Sequence, residues 1–253
     1  MSGTALLTGG ARRIGASLAR ELVGLGFDLA LHYNRSGEDA EALARELRAG
    51  GSRVELFQAD FSDRRSLEAL VPQVKARFGR IDLLVNNASI FIYDDLPTLG
   101  REAWDLHLAV NFTAPIFLIR DFASAMDAAG RGLVVNMLDQ KVVNSNPDYF
   151  SYTGGKTGLA GMTRALALAL APRIRVCAIA PGMTLPSGKQ SEADFERAAK
   201  ATPMGYTTSL EDIRRALRFI VEAPAFNGQT LTLDAGESLL ARTRDVAYDD
   251  GLR

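Results

Sequence analysis

The chain has little that would tie it to an oxidising compartment, a membrane or a polyanion. Its 253 residues include one cysteine, Cys177, so no internal disulfide can form. Cys177 lies in the apolar run 174–180, where a buried, inert thiol is expected. A reducing cytoplasm fits that usage. Twenty-nine Lys and Arg stand against 30 Asp and Glu, a net charge of −1. Neither sign is in excess, so there is no electrostatic case for nucleic acid or an anionic membrane. No run reaches the roughly 18 apolar residues of a membrane span. The first residues lack a charged region ahead of an apolar stretch, so no signal peptide is expected. No repeat, low-complexity segment or linker divides the chain. One domain over residues 1–253 is expected.

What is present is a soluble, globular composition, 47% hydrophobic and 23% charged. Strand patterns fall at residues 4–8, 28–33, 53–58, 82–86, 133–137, 174–180 and 230–233. Helix patterns alternate with them at 14–25, 62–78, 104–126, 150–170 and 209–221. A further helix runs from Ser36-Gly37-Glu38-Asp39, which resembles a capping box, to about residue 49. Strands spaced by helices of this length imply an α/β fold. It is a Rossmann-like, doubly wound parallel sheet with helices on both faces. The segment 181–208 is poor in strand pattern and rich in Gly, Pro, Ser and Lys. Loops this long in compact domains are usually functional or disordered. Residues 183–208 are expected to act as a substrate lid, with Met183, Leu185 and Met204 as flexible apolar contacts. The plainer alternative is a surface insertion.

After the first strand comes Thr8-Gly9-Gly10-Ala11-Arg12-Arg13-Ile14-Gly15, then a helix. Doubly wound sheets bind ligands at strand carboxyl ends, with phosphate near a helix N-terminus. The motif lacks the G-x-G-x-x-G spacing, and Arg13 stands where a third glycine would be expected. A plain glycine turn is the competing reading, weakened by the strand–turn–helix order. The second strand ends in His32-Tyr33-Asn34-Arg35-Ser36 and lacks the acidic residue that would hold an NAD ribose. Arg35 and Arg13, with a Ser hydroxyl, suit a 2′-phosphate instead. NADPH is therefore the expected cofactor. Asp60 would accept from the adenine amino group, and Asn86-Asn87-Ala88-Ser89 would lie against a cofactor sugar.

Asp139, Tyr152 and Lys156 carry the expected chemistry. Tyr152 and Lys156 are four apart and share one helix face. A Lys ammonium lowers a phenol pKa, which gives a proton donor or acceptor near neutral pH. Alone, Tyr-x-x-x-Lys arises often by chance. The glycine turn, the Asn-Asn-Ala-Ser turn and Asn111 raise its weight.

These residues in this order resemble the short-chain dehydrogenase/reductase family across nearly the whole chain. The motifs are Thr8-Gly9 with Gly15, Asp60, Asn86-Asn87-Ala88, Asn111, Tyr152-x-x-x-Lys156 and Pro181-Gly182. The resemblance implies Tyr152 as acid, Lys156 on the nicotinamide ribose and Asn111 holding a relay water. It also implies cofactor contacts from Gly9, Arg13, Ile14, Gly15, Tyr33, Asn34, Arg35, Ser36, Asp60 and Phe61. Asn87, Ala88, Ser89, Pro181 and Gly182 complete that set, and a homotetramer is implied. Asp139 stands where the family usually has a Ser that polarises a carbonyl. With Arg13, this resembles the pteridine reductase branch, which includes dihydromonapterin and alternative dihydrofolate reductases. Similar features are His32-Tyr33-x-Arg35-Ser36, Asn86-Asn87-Ala88-Ser89 before Phe91, and Asn136-Met137-x-Asp139.

An ionised carboxylate only accepts hydrogen bonds, so Asp139 is a poor substitute for Ser in ketone reduction. It opposes phenolate formation and favours a protonated Tyr152. That suits reduction of a pterin C=N bond. Ser89, Phe91, Asp139, Tyr152, Pro181 and Met183 are the expected substrate contacts. Phe91 would stack on the pterin, although core packing is its plainer role. For Asp139 the plainer role is a turn cap. Two other functions stay open: a carbonyl or quinone-like reductase, and a non-catalytic NADP(H)-sensing protein. A metal is not expected.

Overall fold

The computed structural model describes residues 3–186, 190–246 and 248. Among them, seven strands form one parallel sheet in the order β3-β2-β1-β4-β5-β6-β7. The strands are β1 (Gly3–Leu7), β2 (Phe27–Tyr33), β3 (Val54–Gln58), β4 (Leu83–Asn86), β5 (Gly132–Met137), β6 (Ile174–Pro181) and β7 (Thr230–Leu233). The helices are α1 (Arg13–Gly24), α2 (Gly37–Ala49), α3 (Arg64–Phe78), α4 (Arg101–Leu108), α5 (Ala114–Ala125), α6 (Phe150–Leu170), α7 (Glu192–Lys200) and α8 (Leu210–Glu222).

Strand residues alternate between two cores because successive side chains point to opposite faces. Ala5, Leu7, Leu83 and Val85 join Leu18, Leu22, Leu43 and Leu217 on the α1–α2–α8 face. Leu6 and Leu84 join Leu70, Val74, Leu118 and Phe122 on the α3–α5 face. Burying each such Leu, Val or Phe side chain contributes about 1.5–3 kcal/mol. Cys177 is fully buried, and burial pushes its thiol up to about 11, as expected of an inert thiol.

Strand order reverses between β1 and β4, which pair as Leu7↔Val85. The loops leaving these strands diverge there, and the crevice they leave is the ligand position of doubly wound sheets.

Three sequence readings change. The helix expected at 104–126 is α4 and α5 joined by a π-helical turn at Ala109–Thr113. Pro115, in the first turn of α5, has no N–H to give the Asn111 carbonyl, so the α-helical ladder breaks there. By length and composition the span Arg101–Ala125 could cross a membrane. Its apolar face is instead core, with Ala114, Leu118, Ile119 and Phe122 buried and α3 against it. The capping box at Ser36 does not form. Ser36 has φ −93° and ψ 51° and makes no side-chain cap, while Asp39 bonds to Arg12. The lid segment is not all loop: it holds α7, closed by a true capping box between Ser191 and Asp194. Residues 187–189 of that segment lie outside the described residues.

Candidate active site

The glycine turn is fixed by close backbone packing. Gly9 has φ +61°, and a Cβ there would stand 2.7 Å from the Ala88 Cα. A Cβ on Gly15 would stand 2.1 Å from the Gly9 carbonyl oxygen. The Thr8 hydroxyl accepts from the N–H groups of Asn87 (2.9 Å) and Ala88 (3.0 Å), which ties β1 to the end of β4. The Asn87 amide donates to the carbonyls of Thr8 (3.0 Å) and Gly9 (2.9 Å). His32 clamps the same turn. Its Nδ1 accepts from Gly9 N–H at 3.1 Å, so Nε2 carries the proton and donates to the Ala59 carbonyl at 3.0 Å. Burial pushes the ring down to about 4.

These residues fit a dinucleotide. The N-terminus of α1 has no side-chain cap and no acidic residue in its first turn, so its N–H groups face an incoming phosphate. Arg35 is exposed beyond β2, near enough to Asp60 to lower its pKa; the larger cause is the Ser62 hydroxyl.

Other expected cofactor contacts sit differently. Arg13 has φ 51°, and its guanidinium donates to the Pro186 carbonyl at 2.9 Å and the Leu185 carbonyl at 3.5 Å. Asp60 accepts from the Ser62 N–H (2.9 Å) and hydroxyl (2.7 Å). Phe61 is buried and stacks on His32 with centroids 4.3 Å apart, so its ring supports the turn rather than facing a ligand. Tyr33 packs on Gly37 at the start of α2. The Asn34 side chain bonds to Asp60, and Ser36 precedes α2.

One cavity of about 440 Å³ runs past the turn. Arg13, Ile14 and Asn87, from and beside the glycine turn, line it, as do Asp139, Gln140, Lys141, Glu237 and Asp245. Tyr152, Lys156, Ser89, Phe91, Pro181, Gly182 and Met183 also line it. The structure thus brings together all the expected substrate contacts.

At the centre, the Tyr152 hydroxyl donates to Asp139 Oδ2 at 2.8 Å. Asp139 Oδ1 accepts from Lys141 N–H at 2.9 Å and caps the following 3-10 turn, Gln140–Val142. Both readings of Asp139, cap and Tyr152 partner, therefore hold. Burial first, then the Asp139 charge, hold the Tyr152 phenol well above its usual range. This agrees with the opposition to phenolate expected of Asp139 and overrides the lowering expected of Lys156. The Lys156 ammonium donates to the Met137 carbonyl at 2.7 Å, and burial pushes it down to about 8. Burial also raises Asp139, against the Lys141 N–H and Tyr152 hydroxyl bonds that lower it.

Two aromatic and polar contacts also depart from expectation. Phe91 stacks on Tyr149, with centroids 3.8 Å apart, and meets Tyr152 edge-on at 4.7 Å. One Phe91 face is therefore covered. The Ser89 hydroxyl donates to Asn111 Oδ1 at 3.0 Å. Asn111 also accepts from Ile90 N–H and donates to the Ile90 carbonyl, each at 3.0 Å. Its side chain fixes the turn after β4.

Sequence reasoning quoted His32 without giving it a role and missed Tyr149 and Glu237. Glu237 follows β7, and the carboxyl end of a strand was the signal that would have found it. Asp245 and Val246 line the cavity from the C-terminal segment, and no local pattern marks them.

This site on this sheet is that of a nicotinamide-dependent oxidoreductase. The chain belongs to the short chain dehydrogenase family, whose model matches residues 3–197. It is similar to the crystal structure of FolM alternative dihydrofolate reductase 1 from Brucella suis in complex with NADP. The two share 43% identity over 96% of this chain and 98% of that one, with a TM-score of 0.91. A short chain dehydrogenase from Burkholderia cenocepacia in complex with NADP is 32% identical, with TM-score 0.85, covering 93% of this chain and 97% of that one. The 3-oxoacyl-[acyl-carrier-protein] reductase FabG of Staphylococcus aureus is 30% identical over 93% of this chain and 98% of its own length.

Proposed function

We propose that this chain is an NADPH-dependent reductase of a C=N bond in a pterin or dihydropterin, of dihydromonapterin, dihydrobiopterin or dihydrofolate type. The observation that carries the reading is the 2.8 Å bond from the Tyr152 hydroxyl to Asp139. A buried carboxylate in that place holds the phenol as a donor and offers nothing to a developing alkoxide. The similarity to an alternative dihydrofolate reductase with NADP supports both the substrate class and the cofactor.

Bound NADPH supplies the hydride. Gly9, Gly15 and the α1 N-terminus would hold the pyrophosphate, and Arg35 would meet the 2′-phosphate. Asn87, Ala88, Pro181 and Gly182 would line the cofactor's path, and Lys156 would bind the nicotinamide ribose. Tyr152 gives its proton to the ring nitrogen as hydride reaches the adjacent carbon. Asp139 orients Tyr152. Asn111 and Ser89 set the wall beside it, and Phe91 offers its uncovered side to the flat ring. A homotetramer belongs to the same proposal on the family resemblance, and a cytoplasmic location on the single buried cysteine.

The second reading, reduction of a carbonyl, is favoured by the 30% identity to a 3-oxoacyl reductase. NADPH oxidation with dihydropterins and a 3-oxoacyl thioester in parallel separates the two. Turnover confined to the thioester overturns the pterin reading.

A further inference from the structure

Glu237 is a carboxyl that neither the glycine turn nor the Tyr152 centre requires. It is buried to 5% exposure, yet it lines the cavity. Two neighbours fix it. Gln140 Nε2 donates to Oε1 at 3.4 Å, and Met183 N–H donates to Oε2 at 3.2 Å. Glu237 therefore joins the segments that follow β5, β6 and β7. A carboxylate has about four lone-pair sites. Each contact uses one site on each oxygen, and one on each is left.

The surrounding wall is short of donors. The Lys141 ammonium is tied to Asp245 Oδ2 (2.8 Å), Asn146 Oδ1 (2.7 Å) and the Asp148 carbonyl (3.4 Å). Asp139, Glu237 and Asp245 all bring acceptors to the cavity lining. A ligand edge that carries only carbonyl oxygens, as in a 3-oxoacyl thioester, finds little to bond there. An edge with two adjacent N–H donors finds a matching fork.

We propose that Glu237 is a specificity-determining residue that accepts paired N–H donors from an amino-substituted, amidine-like edge of the substrate heterocycle. The inference deepens the pterin reading and names the chemical edge that reading leaves open. Burial pushes Glu237 up to about 7, aided by Asp139 and Asp245; Met183 N–H and Arg242 act the other way. A donor edge is then bound best by the ionised carboxylate, and binding weakens as the pH falls through this range.

The test is equilibrium binding to the NADP⁺-saturated protein of two probes, 2-amino-4-oxopteridine and 2,4-dioxopteridine. They share size and flatness and differ in one amino-for-oxo exchange. Wild type should bind the amino probe at least about tenfold more tightly, because a hydrogen bond to a charged group is at stake. Glu237→Gln replaces one acceptor with a donor. It should lose about tenfold to a hundredfold for the amino probe and less than about threefold for the dioxo probe. Unchanged NADPH affinity of Glu237→Gln serves as the fold control. If that variant does not fold, wild type alone decides: amino-probe affinity should fall between about pH 7.5 and 5.5 as Glu237 takes up a proton. Equal affinity of the two probes for wild type, or equal loss in the variant, overturns the assignment. Pterin turnover with amino-blind binding overturns Glu237 and spares the proposed function. Amino-selective binding without turnover of any pterin overturns the proposed function and spares Glu237.

Discussion

Tyr152 keeps its proton because burial and the Asp139 charge act in the same direction. In the proposed reaction the phenol is therefore the acid rather than a base, and Asp139 aims it. Tyr152→Phe should retain NADPH binding and lose about 10²–10⁴-fold in turnover, the usual contribution of general acid catalysis. Near-native activity would place the proton elsewhere. Asp139→Ser should lower turnover of a dihydropterin, since a hydroxyl no longer holds the phenol by charge. Pterin turnover left intact, with a gain on ketones, would make this a carbonyl reductase. Arg35→Ala should weaken NADPH by about 10- to 150-fold and NADH far less, the scale of a charged hydrogen bond. Equal loss for both cofactors, measured by fluorescence titration, would remove the 2′-phosphate assignment. The Tyr152–Asp139–Lys156 set was legible in the sequence because helix spacing and motif order fix it. The direction of the Tyr152 shift was legible only in part: Asp139 announced it, but burial, the larger cause, depends on the finished fold.

At the scale of elements, the glycine turn is held by parts from three strands. His32 on β2 is the clamp. It is neutral in the fold, so below about pH 6.5 the unfolded chain binds the extra proton. Stability is full above that pH and is lost progressively as the pH falls toward about 4, by an amount on the order of 3 kcal/mol. Thermal melting between pH 7 and 4 should show the decline, and His32→Gln should flatten it. An equal slope in both proteins would assign the acid loss to other groups. Strand positions were legible from apolar runs, and β7 was read at residues 230–233 as observed. The break in α4–α5 was not, although Pro115 announces it. A periodicity reading carries straight through a π turn, because the apolar face continues on both sides of it. The α7 helix was missed for a related reason: Ser191 and Asp194 cap it inside a stretch read by its Gly and Pro content.

For the whole molecule, sheet order decides the function. The reversal between β1 and β4 opens the crevice, and the ends of β5, β6 and β7 bring the Asp139 turn, the Met183 segment and Glu237 to one side of it. The doubly wound sheet followed from alternating patterns. The far wall of the cavity did not, because Gln140 meets Glu237 and Asp245 there from about a hundred residues away in sequence, too far for any local pattern. The most direct test of the account is NADPH oxidation with dihydromonapterin, dihydrobiopterin, dihydrofolate and a 3-oxoacyl thioester, side by side in one buffer. The account predicts the highest kcat/KM for a dihydropterin, with weak or no turnover of the thioester. Efficient turnover of the thioester with none of the pterins would contradict it.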